Sequence, residues 1–210
     1  MGRRRGSILP SEYQQVEYII APANGKKTYL DLGFTFDTAC RGYLGLYLIE
    51  SKTVQCFGNA EQSGKYRCMI SAGGTTYVYG SNGSGYIGQT ISGKINELMD
   101  LEFVLKPGEI YIQNLATGDK SSVGKAQVAY TMTTNLTLFA QNYNGTIRRD
   151  GANRIHYFKY YDKNDELICD LIPCYRKADN EIGMYDIVRK IFLTNVGTDG
   201  GAFTKGPDVN

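Results

Sequence analysis

The chain has 210 residues and a net charge of only +2, with 25 glycines, 17 tyrosines and no tryptophan. A chain of this length buries about 70% of its unfolded surface. Its near-neutral balance excludes the strong overall pull toward nucleic acid or anionic membrane that a highly basic protein has. The five cysteines, Cys40, Cys56, Cys68, Cys169 and Cys174, are odd in number and lack framework spacing. They read mostly as small buried hydrophobes on strands rather than as disulfide partners.

The chain opens on Met1-Gly2-Arg3-Arg4-Arg5-Gly6-Ser7. No apolar stretch follows, so these residues do not make a signal peptide, and Gly6 stands where a myristoylation signal needs Ser or Thr. Arg3, Arg4 and Arg5 are expected to act as a subunit-docking arm within a basic segment over residues 1–10. Nucleic acid is the less favoured partner for them. Without a secretory route the sequons at Asn82, Asn135 and Asn144 carry little weight. The expected place of synthesis is a reducing cytosol.

Strand follows strand after the arm. Thr28, Leu30, Leu32 and Phe34 alternate with polar neighbours, the period-two signature of a half-buried strand. Gly83-Ser84-Gly85-Tyr86-Ile87-Gly88 matches a dinucleotide fingerprint, but no helix-forming sequence follows it, so a glycine-rich hairpin loop is expected. Tyr77, Tyr79 and Tyr86 flank that loop. Met99, Leu101, Phe103 and Leu105 form a second alternating strand, which the turn Lys106-Pro107-Gly108 folds back onto Glu109 to Asn114. His156 to Asp162 and Glu166 to Ile172 make a second pair around Lys163-Asn164-Asp165. About fourteen strands are expected, packed as two antiparallel sheets face to face in one domain over residues 11–205, with a tail over 206–210.

Catalytic patterns are weak. Asp100 and Glu102 share a strand face while Glu97 falls on the other, so the spacing does not place a nucleophile and an acid/base on one face as glycoside hydrolysis requires. The pair is expected to be a solvated strand face. His156, the only histidine, is expected beside Phe158 and Tyr160 at the edge of the core. A Cys169–His156 pairing across the hairpin remains open, without support for an activated thiolate. No zinc spacing exists. Calcium, which needs oxygen ligands on loops, has Asp150, Asp162 and Asp165 as candidates, although turns use the same residues for backbone reasons.

The segment from Asn142 to Arg154 is long, polar and rich in planar donors. Asn142, Tyr143, Asn144, Arg148, Asp150, Asn153 and Arg154 are candidate carbohydrate-binding residues. A tyrosine can stack on a pyranose while the others pair with hydroxyls. Tyr77, Tyr79 and Tyr86 are expected to extend that surface. The competing reading is a solvated connection or a subunit contact.

The two ends of the chain carry a resemblance. Leu9-Pro10-Ser11-Glu12-Tyr13-Gln14-Gln15-Val16-Glu17-Tyr18-Ile19, Tyr29-Leu30-Asp31-Leu32-Gly33, and Ile172-Pro173-Cys174 through Glu181-Ile182-Gly183-Met184-Tyr185-Asp186 are together similar to the concanavalin A-like, laminin G-like jelly-roll modules of phages and prophages of gut bacteria. The resemblance implies a virion-surface protein (tail, fibre or capsid decoration) that binds other virion subunits, as a symmetric oligomer, and host surface polysaccharide as a further partner. It implies no enzyme activity and no cofactor beyond the calcium just named. It also implies assembly in the host cytoplasm, release by lysis, and no contact with membrane. The matching motifs read as structural, joining first and last strands in one sheet. Two other readings stay open: a polysaccharide-cleaving hydrolase or lyase on the same fold, and a purely structural decoration protein without a glycan site.

Overall fold

Alternation becomes burial most cleanly at Met99, Leu101, Phe103 and Leu105, all four sealed from solvent, with Asp100 and Glu102 between them half-exposed. The computed structural model describes residues 9–22, 27–62, 65–148 and 152–209. Arg3, Arg4, Arg5 and Asp150 lie outside the described residues. In chain order the strands are β1 (Tyr13–Gln15), β2 (Ile19–Ala21), β3 (Leu30–Asp37), β4 (Cys40–Leu48), β5 (Val54–Glu61), β6 (Tyr66–Ala72), β7 (Thr75–Ser81), β8 (Tyr86–Ser92) and β9 (Leu98–Lys106). They continue as β10 (Glu109–Asn114), β11 (Thr131–Leu138), β12 (Gln141–Tyr143), β13 (Thr146–Arg148), β14 (Asn153–Tyr161), β15 (Leu167–Arg176), β16 (Glu181–Asp186), β17 (Ile191–Thr194) and β18 (Thr204–Lys205). Among the described residues there is no α-helix.

The strands form a two-sheet jelly-roll sandwich. The larger sheet has ten strands in the path β10-β9-β4-β14-β15-β16-β17, with β1, β2 and β18 paired alongside β15 and β14. The smaller has eight, in the path β13-β12-β5-β6-β7-β8, with β11 beside β5 and β3 beside β11. The core lies between them. The Phe57 ring of the smaller sheet packs against Phe103 at 5.4 Å and Phe158 at 5.0 Å on the larger. Aromatic pairs at this separation add to the area they bury.

The structure refines the sequence reading in three places. There are eighteen strands among the described residues rather than about fourteen, because β1, β2, β12, β13, β17 and β18 have two to four residues each, too few to leave an alternating trace. The pairing is not wholly antiparallel, since β12 runs parallel to β5 through Asn142–Asn59 and Tyr143–Ala60. The segment read as a tail is tied down as far as Val209. Val16 bridges Asp208, and the Val209 amide donates to the Gln15 carbonyl at 2.9 Å. First and last strands do share one sheet, as the terminal motifs implied.

Candidate functional site

Along β7, Thr76 and Val78 point into the core and are fully buried, so Tyr77 and Tyr79 stand on the outer face of the smaller sheet. The two rings stack at 5.3 Å with only 6° between their planes. The Tyr79 ring meets Tyr86 of β8 edge-on at 5.9 Å. The Arg67 guanidinium of β6 lies 3.8 Å above Tyr86 and 5.5 Å from Tyr79. Tyr86 is 54% exposed. Burial first, then the neighbouring Tyr77 hydroxyl, raises the pKa of Tyr79 above its ordinary value. Arg67, which anchors this group, was not singled out from the sequence; its place beside Tyr79 and Tyr86 emerges only from the pairing of β6, β7 and β8.

The same face continues toward the other edge. Tyr143 of β12 pairs with Ala60 of β5, and Ala60 pairs with Arg67. Buried Gly58, Ala60, Met69 and Ser71 make a low floor. At the edge, the Arg148 guanidinium stacks over Tyr143 at 3.4 Å. Strands about 4.8 Å apart place Tyr143 roughly 10 Å from the strand of Arg67. Thus Tyr143, Arg148, Arg67, Tyr86, Tyr79 and Tyr77 run across one sheet face in a single strip.

What was expected as one long polar loop is a hairpin of β12 and β13. Asn144 and Gly145 both have positive φ (50° and 84°), the conformation of a tight two-residue hairpin turn, and an Asn-Gly pair is its strongest local signal. Asn142 serves this turn, its side chain accepting from the Gly145 amide at 3.0 Å and donating to the Asn135 carbonyl at 3.1 Å. Asn153 and Arg154 belong to the other sheet. Asn153 is buried in its interior, and Arg154 is held between the rings of Tyr47 and Tyr18 at 4.6 and 4.9 Å.

Asp100 and Glu102 share the outer face of β9 but are bonded rather than simply solvated. Tyr157 donates to Asp100, and Tyr43 and Tyr111 donate to Glu102 at 3.0 and 3.4 Å. Burial, then the Glu102 carboxylate, pushes the Tyr111 hydroxyl up to about 12. His156 requires a correction. The register of β14 against β4 slips between Ile155 and Tyr157, and this bulge turns His156 outward, away from Phe158 and Tyr160, to meet the Tyr18 ring at 5.0 Å. Cys169 faces the opposite side, in the core, so the two do not pair. Burial, then Asp186, raises the Cys169 thiol and burial raises Cys174 to about 12, which keeps both protonated.

The calcium candidates that are described have other duties. Asp162 accepts from the amides of Asn164 and Glu166 at 2.8 and 3.0 Å, and Asp165 pairs with Arg41 at 3.0 Å. Among the described residues no group of three or more His, Cys, Asp or Glu side chains is placed to hold a metal. The glycine-rich match at Gly83 is the β7–β8 turn, organised by the Asn82 side chain accepting from Ser84 and Gly85.

No protein-family model matches the sequence, and no curated protein matches it. Solved structures do. The LG4-5 domains of the mouse laminin alpha1 chain are 12% identical with a TM-score of 0.48, over 80% of this chain and 47% of that one. Full-length tailspike protein 2 of the Escherichia coli O157:H7 bacteriophage CAB120 is 12% identical with a TM-score of 0.48, over 83% of this chain and 31% of that one. The chain therefore spans about half of the laminin chain and under a third of the tailspike. Likeness at this level concerns the fold alone.

Proposed function

We propose that the protein is a non-enzymatic surface module of a phage virion that docks on other virion subunits and holds host-surface polysaccharide across the outer face of its smaller sheet. The observation that carries the glycan part is the strip from Tyr143 to Tyr77. A pyranose offers a C–H face for a ring such as Tyr86 and hydroxyls for the Arg67 and Arg148 guanidiniums, which stacking on tyrosines has already oriented. An open strip with one direction suits a chain-like ligand better than a small molecule, which needs a concave pocket. The virion setting rests on the terminal motifs, and assembly in the host cytosol with release by lysis follows from that setting. Oligomerisation belongs to the same proposal.

Asp100 and Glu102 support the non-enzymatic reading, because each carboxylate is engaged by tyrosine hydroxyls. The test is an array of bacterial surface polysaccharides, with and without calcium, probed with the wild type, Tyr86→Ala and Tyr143→Ala. Saturable binding of one glycan class, lost in both variants, supports the reading. A folded wild type that binds nothing, or binding that survives both substitutions, contradicts it. Release of reducing ends from any bound polysaccharide would make the protein an enzyme instead.

A further inference from the structure

The larger sheet is split at its centre. β14 pairs with β15 only from Phe158 to Tyr161, while Asn153 to Ile155 pair with β2. Beyond the split, β15 takes β1 as its partner at Cys174 to Arg176. Pro173 sits at the fork, where it has no N–H to give a neighbouring strand, and its carbonyl accepts from the Val16 amide at 3.0 Å. The bulge at His156 lies at the same level, so two successive side chains, His156 and Tyr157, both face outward. Bulges re-aim side chains in this way. The result is a groove of about 570 Å³ on the outer face of the larger sheet, within the size range of ligand sites.

Its lining is two-sided. Ile172, Pro173 and Ile187 supply an aliphatic wall, while Leu115, whose amide donates to the Asp100 carbonyl at 2.7 Å, stands on the opposite side beside Asp100. Across from that wall Tyr157 lies over Gly45, where any Cβ would come within 2.6 Å of the ring, and its hydroxyl donates to Asp100. Lys159 also lines the groove, but buried Asp170 binds it at 2.8 Å and cancels its charge. Asp100 takes part in none of the ion pairs among the described residues. Arg154, on the same strand as His156, is held between Tyr18 and Tyr47 and is not part of the lining. The groove thus pairs an apolar wall with one oriented, uncompensated carboxylate, and that carboxylate sets its preference in charge.

We propose that this groove is a second binding site, which takes a free primary ammonium carried on a body with an apolar face, as in an unacetylated amino sugar of a glycan. Asp100 receives the ammonium, Tyr157 fixes the carboxylate's orientation, and the aliphatic wall covers the C–H face of the ring. The amino-sugar identity rests on the glycan reading above; the demand for an ammonium does not. N-acetylation removes the charge and adds bulk, so the groove discriminates against the acetylated form.

Calorimetric titration of the full chain with the tetramer of glucosamine and with the tetramer of N-acetylglucosamine tests the proposal. Saturable binding of the amine form, at least 10-fold weaker binding of the acetylated form, and a loss of the same size in Asp100→Asn are expected. Leu115→Lys, at an exposed position on the rim, places a cation beside the site and should weaken the amine form equally without touching the Tyr157–Asp100 bond. Tyr86→Ala should leave this binding unchanged. Equal affinity for the two tetramers, no binding of either, or full affinity in both groove variants overturns the proposal. Loss in Tyr86→Ala alone moves the ammonium to the strip on the smaller sheet and overturns the groove while leaving the strip reading intact.

Discussion

The outer faces of the two sheets are built by opposite means. On the smaller sheet an unbroken register from β6 to β8 lines up Tyr77, Tyr79 and Tyr86 with Arg67, and the product is an open strip. On the larger sheet the register fails at Ile155–Tyr157 and the central strands part at Pro173, and the product is a groove. Regular pairing makes surfaces for extended partners. A local fault makes a concavity and changes which residues look outward.

Four substitutions break or sharpen that contrast. The largest effect is expected at the floor of the strip, where Gly58 has φ 123° and a Cβ would stand 2.0 Å from the Cys68 carbonyl oxygen. Because strand backbone cannot give way, Gly58→Ala should cost more than about 3 kcal/mol, read as a drop in the urea midpoint. Gly45→Ala on the other face meets the Tyr157 ring at 2.6 Å and the His156 Cβ at 3.1 Å, side chains rather than backbone. It should cost roughly 1–3 kcal/mol and displace Tyr157 from Asp100. A larger loss at Gly45 than at Gly58 would show that the larger sheet, not the smaller, is the rigid one.

The third concerns Glu61 at the end of β5. One of its oxygens accepts from the Thr133 and Thr134 amides, each at 2.7 Å, and from the Thr133 hydroxyl at 2.9 Å. Burial alone would raise its pKa, but these hydrogen bonds outweigh burial and hold it below the usual 4.5. A carboxylate with a depressed folded pKa contributes stability that is complete above its unfolded value and is lost as pH falls through the folded value. Glu61→Gln should therefore cost roughly 2 kcal/mol at pH 7 and narrow the gap between mutant and wild type below pH 4.5. A gap that stays constant with pH would remove the carboxylate from the account. The smallest structural effect is expected for Tyr86→Ala, within about 0.5 kcal/mol in stability because the side chain is exposed, yet with at least a 10-fold loss of glycan affinity.

The sandwich was legible because alternation marks strands such as β7, β9 and β10. Met99 to Leu105 and the hairpin from His156 to Ile172 follow the expected faces, or nearly so. Cys169 and Cys174 lie on opposite sides of β15, as their spacing requires. The strip was half legible, since Tyr77 and Tyr79 show their shared face in their spacing, while Arg67 joins them only through pairing with distant strands. The groove was not legible. A bulge adds one residue to the phase of a strand and leaves no mark in composition, so His156 read as a neighbour of Phe158. The Asn144-Gly145 turn did have a signal in the sequence, but the polar residues around it read as a single recognition loop. Glu61 has no local sign of its role, because its donors are more than seventy residues away.

The most direct test of the central claim is saturable polysaccharide binding by the full chain, compared with Tyr86→Ala and Asp100→Asn in the same assay. Loss of binding to extended polysaccharide in Tyr86→Ala, with Asp100→Asn unaffected unless the glycan carries free amines, is the predicted result. Undiminished binding by a folded Tyr86→Ala protein would contradict it.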